Sequence, residues 1–358
     1  MTPLPTFTLV DEGNRMLWAG WAKLVRDNDW SSDDSTVIDL LPSLPSTKAV
    51  FAQDSRDGSF LGCVVWNEYD EMAFIGYYIV HPSMVGKGLG PKMWKRAFTR
   101  IPKHVNVGLR AVPSMIAKYA ARDTPYYVST LNNYELTVAE AREMCSKLEG
   151  SKHLIVNVEK TTDEQWEDLL EFDKDVTKRD RSDLIERFFE CDTVDGVCLL
   201  NSGEYYAHFS DWFHFCMSVT VIKDELVTLI CVPTLCSSSY KKIQIFENLE
   251  ERVVGYAAVS STGYSTENKF KLGPVFASSI NDALSMISPL IDYCERITPD
   301  AKILVKTLSG TVGERTLSAL IDKEPEHEGA TLFKRPFRNT IDTDMCYIAH
   351  NHGGHFDA

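Results

Sequence analysis

The stretch Met72-Ala-Phe-Ile-Gly-Tyr-Tyr-Ile-Val80-His-Pro-Ser-Met-Val85-Gly-Lys-Gly-Leu-Gly90-Pro-Lys-Met-Trp94 decides how the chain is read. Met72 to Val80 is an almost unbroken run of apolar, β-branched and aromatic residues, the composition of a strand buried on both faces. His81-Pro82 ends it, because proline has no N–H to extend a ladder. Beyond the turn, Met93, Trp94, Ala97 and Phe98 recur at helical spacing. Gly86, Gly88 and Gly90 alternate between the two elements, so bare backbone N–H groups and a helix N-terminus converge on one point. Such a cradle binds a phosphate or pyrophosphate.

Two phosphate-loop patterns fail on spacing. A Walker loop needs Gly-Lys-Ser/Thr, and here Lys87 is followed by Gly88, with no hydroxyl for magnesium. A dinucleotide fingerprint needs Gly-x-Gly-x-x-Gly, which Gly90-Pro91-Lys92 breaks. The order strand, Val80-His81-Pro82, Val85-Gly86-Lys87-Gly88-Leu89-Gly90, helix resembles motif A of the GNAT acetyltransferase superfamily. The resemblance implies that Val85, Gly86, Lys87, Gly88, Leu89 and Gly90 bind the pyrophosphate of acetyl-CoA. It also implies that Tyr78, Ile79 and Val80 pair with the pantetheine arm. Val85 departs from the family, which usually has Arg or Gln there, and so removes a charge-assisted contact worth up to about 1.5–3 kcal/mol.

At 358 residues the chain exceeds one ordinary domain, and 44% hydrophobic with 11% aromatic residues supply two cores. Met1-Thr-Pro-Leu-Pro-Thr6 has neither a basic n-region nor an apolar segment, so a protein that is neither exported nor membrane-spanning is expected. Nine cysteines, without a Cys-x-x-Cys pair, argue against a disulfide framework or a zinc ribbon and for a reducing, cytoplasmic compartment. Residues 1–150 are near neutral, so almost all of the net charge of −14 falls on the rest. An acidic half repels nucleic acid and anionic membranes. It favours a cationic amine or serves solubility alone. Oligomeric state leaves no mark in the sequence.

Residues 1–150 follow the order the resemblance implies. Met16, Leu17, Trp18, Trp21, Ala22, Leu24 and Val25 make a first helix, capped by Asp11 or Asn14. Asp27 to Asp34 is polar apart from Trp30, and a short apolar helix follows near Val37–Leu41. In GNAT folds this segment walls the acceptor pocket, which makes Trp30 and Asp34 acceptor candidates; an N-capping aspartate and a surface tryptophan are the alternative. Ala49–Ala52 and Phe60–Trp66 read as a hairpin, Val105–Arg110 as a strand, Val112–Ala121 as a helix and Tyr126–Val128 as another strand. Where the family has a Gly-Phe turn after this helix, the chain has Arg122-Asp-Thr-Pro125. Thr137 to Leu148 is a helix, and the boundary is set near Gly150.

Residues 151–358 restart with a strand at Leu154–Val158 and a helix capped by Thr162. Glu171 to Arg181, Val253–Ala258 and Phe270–Ser279 resemble the C-terminal GNAT-like domain of the YitH/HolE acetyltransferase group. At the expected position of a second pyrophosphate loop stands Gly273-Pro-Val-Phe-Ala277, whose Pro274 has no N–H. Residues 202–247 read as an insertion. The expected fold is thus α+β (mixed α/β): two tandem GNAT-like domains, each a splayed mixed sheet flanked by helices, the second degenerate and without its cofactor loop.

Acyl transfer from a thioester to an amine needs an oxyanion donor and a proton for the departing thiolate. Backbone N–H groups near Ile79 and Val80 suit the first task. The family places a tyrosine beside the CoA sulfur, which makes Tyr119 the general acid. For the base Glu68, Asp34, His81 and water remain open, and Glu68 joins Trp30 and Asp34 as an acceptor contact. His350, His352 and His355 form a tract without a carboxylate or cysteine partner nearby, and read as a tail; no metal is expected. The expected activity is acetyl-CoA-dependent N-acetylation of a small amine by direct attack, with the acceptor between the domains. A non-catalytic CoA-binding or regulatory protein is the alternative.

Overall fold

The computed structural model describes residues 6–28, 39–201, 252–262, 268–338 and 340–349. Strand β1 (Phe7–Asp11) opens the chain, and helix α1 (Arg15–Asp27) follows. Of its two candidate caps, Asn14 does the capping, accepting from the Leu17 N–H at 3.0 Å. Asp11 instead holds Arg96 at 2.6 Å. The buried stripe of α1, Leu17, Trp21, Leu24 and Val25, packs on one face of β2 (Thr47–Asp54), β3 (Phe60–Glu68) and β4 (Met72–Val80). Helix α2 (Leu89–Arg100) covers the other face through Met93, Trp94 and Ala97. Strand β5 (Asn106–Ala111) runs parallel to β4 but pairs with it only from Met72↔Asn106 to Ile75↔Leu109. Beyond Ile75 the two strands part, and the sheet is splayed.

The chain continues through α3 (Ile116–Ala120), β6 (Tyr126–Thr137) and α4 (Val138–Ser146), the last started by a capping box between Thr137 and Glu140. A similar sequence of elements then recurs, with two described helices before its second strand: β7 (Leu154–Asn157), α5 (Asp163–Thr177), α6 (Ser182–Phe189), β8 (Val194–Leu200), β9 (Val253–Ser261) and β10 (Lys269–Ala277). Helix α7 (Ile280–Ile297), β11 (Lys302–Leu308), α8 (Val312–Leu320), β12 (Glu326–Phe333) and β13 (Cys346–Ile348) complete it. The expected insertion at 202–247 lies outside the described residues.

The two halves share a single sheet, ordered β1-β2-β3-β4-β5-β12-β6-β11-β10-β9-β8-β7, with β13 added to β10. Two separate sheets were expected; their merger has a simple cause. Each half lends the other a strand. β12 inserts between β5 and β6, with Thr331 opposite both Arg110 and Ser129. β6 in turn pairs with β11 from Thr137↔Lys302 to Leu131↔Leu308. Helix α4 follows β6 across, and its Val138, Ala141 and Met144 join the core beneath α7. Gly150 lies between α4 and β7, but the packing does not part there.

The second half opens in the same way as the first. β10 pairs with β11 only from Lys269↔Lys302 to Leu272↔Val305. Here the gap is filled: β13 enters antiparallel to β10, with Val275↔Ile348 and Phe276↔Cys346. Gly313 admits it, since a Cβ at that position would collide with the Tyr347 carbonyl. Gly273–Ala277 is therefore part of a strand and not the counterpart of a loop, which corrects the placement expected from sequence. The loop's true counterpart is Ser278-Ser279, just before α7.

Candidate active site

Gly86 and Gly88 have φ of +75° and +76°, which only glycine adopts without strain, and a Cβ at either would meet nothing within 4 Å. The cradle is open. Its backbone donors divide into two sets. Val85 N–H bonds to Pro82 O at 3.3 Å and Lys87 N–H to Met84 O at 3.1 Å, closing the turn. The N–H groups of Gly86, Gly88, Leu89 and Gly90 have no acceptor among the described residues, and the last two open α2, where the helix dipole favours an anion. Of the six residues expected to bind pyrophosphate, these present backbone donors. Val85, 65% exposed, offers only an apolar side chain, and Lys87 contributes an exposed ammonium.

Aromatic rings line the route from the cradle to the splay. Gly90 lets α2 approach the Tyr78 hydroxyl closely, and the Trp94 ring lies between Tyr78 at 5.2 Å and Tyr119 at 5.6 Å. Trp94 is fixed by donating from Nε1 to Asp123 Oδ2 at 2.7 Å, while the Arg122 guanidinium covers its ring at 5.2 Å and pairs with Asp123 at 3.2 Å. Arg122-Asp123, which replaces the family's Gly-Phe turn, thus anchors the stack. Sequence reading missed this pair because its only signal was a departure from a pattern. Burial pushes the Tyr119 phenol up to about 12; the neighbouring Tyr78 adds to the rise and Arg122 opposes it. The phenol is a proton holder at neutral pH.

His81 N–H bonds to Leu61 O at 2.9 Å, which fixes the alternation of β4 beyond the splay. Ile79 therefore turns its polar groups to β3, and Tyr78 and Val80 turn theirs into the gap. This corrects the expected donor pair by one residue. The other candidates scatter. Glu68 pairs with Ala73 at the opposite end of β4 and accepts from Trp66 Nε1 at 2.9 Å, so the strand holds it about 20 Å from Ile79, at about 3.3 Å per residue. His81 uses Nδ1 to accept from Ser83 N–H in the turn that follows. Trp30, Asp34 and the His350, His352 and His355 tract lie outside the described residues. Among the described residues no cluster of His, Cys, Asp or Glu could hold a metal, and no helix is long and apolar enough to cross a membrane.

Among the described residues, the start of α7 differs from that of α2. Ser279 caps α7, and the Asp282 carboxylate sits in the helix's first turn, accepting from Ser279 Oγ at 2.7 Å and Ser151 Oγ at 2.5 Å. A negative group of the chain itself occupies the helix start.

A family profile described as the acetyltransferase (GNAT) family matches residues 17–118. An uncharacterized protein of Caenorhabditis elegans is 30% identical over 349 residues, covering 97% of this chain and 96% of that one. Among solved structures, a candidate acetyltransferase from Pyrococcus horikoshii superposes with a TM-score of 0.59 at 13% identity, covering 97% of this chain and 96% of that one. A tandem GNAT protein from the clavulanic acid biosynthesis pathway gives 0.57 at 12% identity, covering 93% of this chain and all of that one. With motif A on a splayed β4, the element order repeated after it, and relatives matched over nearly their whole length, the chain belongs to the GNAT family of acyltransferases, as a tandem-domain member.

Proposed function

We propose that the protein is an acetyl-CoA-dependent N-acetyltransferase that acts on a small amine by direct attack on the thioester. The observation that carries this reading is the open glycine cradle joined, along the Tyr78–Trp94–Tyr119 stack, to a splay with inward-facing N–H groups. In this reading the pyrophosphate rests on the N–H groups of Gly86, Gly88, Leu89 and Gly90, and the pantetheine arm runs along β4. The amine nitrogen attacks the thioester carbon, and Tyr78 or Val80 N–H holds the oxyanion. As the C–S bond breaks, the thiolate takes the Tyr119 proton, and the proton lost by the amine restores the phenol. Acetylated amine and CoA leave.

We place one cofactor site in each chain, in residues 1–150, and read residues 151–358 as a degenerate partner. The filled gap at β13 and the Asp282 carboxylate support this. Cytoplasmic residence is supported by Cys63, Cys198 and Cys294, which are buried and form no disulfide among the described residues. Val85 at the cradle favours a second reading, a CoA-binding regulator without turnover.

Thiol release from acetyl-CoA across a panel of small amines tests the proposal. Turnover of at least one amine is expected. Tight CoA binding with no turnover of any amine would favour the regulator, and absence of CoA binding would overturn both readings.

A further inference from the structure

A row of polar side chains crosses the sheet where the two halves exchange strands. Arg110 stands on β5 immediately past its last pair with β4, so it borders the splay. It shares a face with Phe74, whose ring lies 5.9 Å from its guanidinium carbon. Thr331 is its neighbour on β12, and Ser129 is the neighbour of Thr331 on β6. Both hydroxyls are buried, at 0% and 3% exposure, and neither has a hydrogen-bond partner among the described residues. Farther along the same face, Lys306 on β11 donates to Glu328 on β12 at 2.6 Å, and Lys271 lies buried on β10. Central strands normally carry apolar side chains here, and a buried hydroxyl without a partner is destabilising. A ligand that accepts hydrogen bonds from both hydroxyls removes that cost. Arg110 adds a planar fork suited to a carboxylate.

We propose that the acceptor is an amine that also bears a carboxylate, of amino-acid type, with the carboxylate held by Arg110, Thr331 and Ser129 at the edge of the splay. The inference rests on the acetyltransferase reading and names its substrate class. Each half supplies part of the site, since Thr331 comes from β12 and Arg110 from β5. The exchange of strands then has a chemical use: it brings two hydroxyls from distant parts of the chain to the guanidinium that borders the thioester.

The test compares each of the common amino acids with its own amide as acceptor for the full-length protein and acetyl-CoA. At least one amino acid is expected to exceed its amide in kcat/KM by about 100-fold or more, the discrimination a site built to pair a polar group achieves. Arg110→Gln is expected to erase about 30-fold or more of that preference while acetyl-CoA affinity stays within about 3-fold, and Arg110→Lys to recover part of it. Thr331→Val, nearly isosteric, should lower the preference by about 5- to 10-fold and serves if the Arg110 variants fail to fold. Amides used as well as acids, or a preference unmoved in Thr331→Val, would overturn the proposal. If no amine is acetylated, the activity reading fails by itself. Thermal shift with the same amino acids and amides then decides the site: stabilisation by acids alone, lost in Thr331→Val, supports it, and equal or absent stabilisation overturns it.

Discussion

The proton on Tyr119 can be removed without disturbing the ring that carries it, because the ring is held by stacking on Trp94. In Tyr119→Phe, CoA affinity measured by calorimetry should stay within a few-fold, while turnover falls by about 10²–10⁴, the range for a lost general acid. An acetyl donor whose thiol has a lower pKa should recover much of that rate. The same phenol should appear in base-driven unfolding. Its pKa is about 12 when folded against about 10 when unfolded. Between those values the folded chain holds a proton that the unfolded chain has lost, so this contribution is complete below pH 10 and disappears as pH rises to 12. Tyr119→Phe should flatten that part of the stability profile. At the cradle, Gly88→Glu places a carboxylate at φ of +76° in the space left for phosphate. CoA binding should weaken by more than about 100-fold, with the unfolding midpoint read alongside to confirm a folded chain. The glycine turn and the helix that carries Tyr119 were legible in sequence because glycine spacing and helical periodicity are local signals. That Glu68 lies at the far end of β4, and that Tyr78 and Val80 rather than Ile79 turn their N–H groups into the gap, follows from strand register, which local sequence does not state.

Among the elements, the contrast between α2 and α7 is what the proposed single cofactor site rests on. α2 begins on bare N–H groups; α7 begins on Ser279 and Asp282. Titration of the full chain with CoA should give one site, and a stoichiometry of two would show that the second half retains a cradle. Gly313→Ala tests the filled gap: its methyl would meet the Tyr347 carbonyl, so β13 or α8 must shift, at a cost of about 1–3 kcal/mol in denaturant unfolding. Pro274 misled the sequence reading for a definite reason. A Gly-Pro pair reads as a turn, yet the pairing of β10 with β9 is irregular between Leu272 and Val275, so the strand passes through a residue without an N–H. The helix caps were easier to read: Thr162 starts α5, the residue named for that role from sequence.

For the whole molecule, the exchange of β6 and β12 makes the halves inseparable despite the clean repeat of their elements. A fragment of residues 1–150 lacks β12, which leaves β5 and β6 with bare edges. Expressed alone, it should aggregate, and sedimentation against the full chain checks this. The repeat was visible in sequence as two runs of similar elements. The exchange was not, since the pattern of β6 states that it is a strand and leaves open which distant strand it joins.

The exchange also orders events during synthesis. β5 can gain its neighbour β12 only after roughly 220 further residues have left the ribosome, tens of seconds at about 5–20 residues per second. Through that interval β5 keeps an unpaired edge, open to pairing with other chains. The arrangement also inverts the usual reading of a late stop codon. A nonsense change just before Glu326 would leave every residue of the glycine cradle in place and remove the strand that completes its half of the sheet, so a lesion far downstream would disturb a loop encoded well before it.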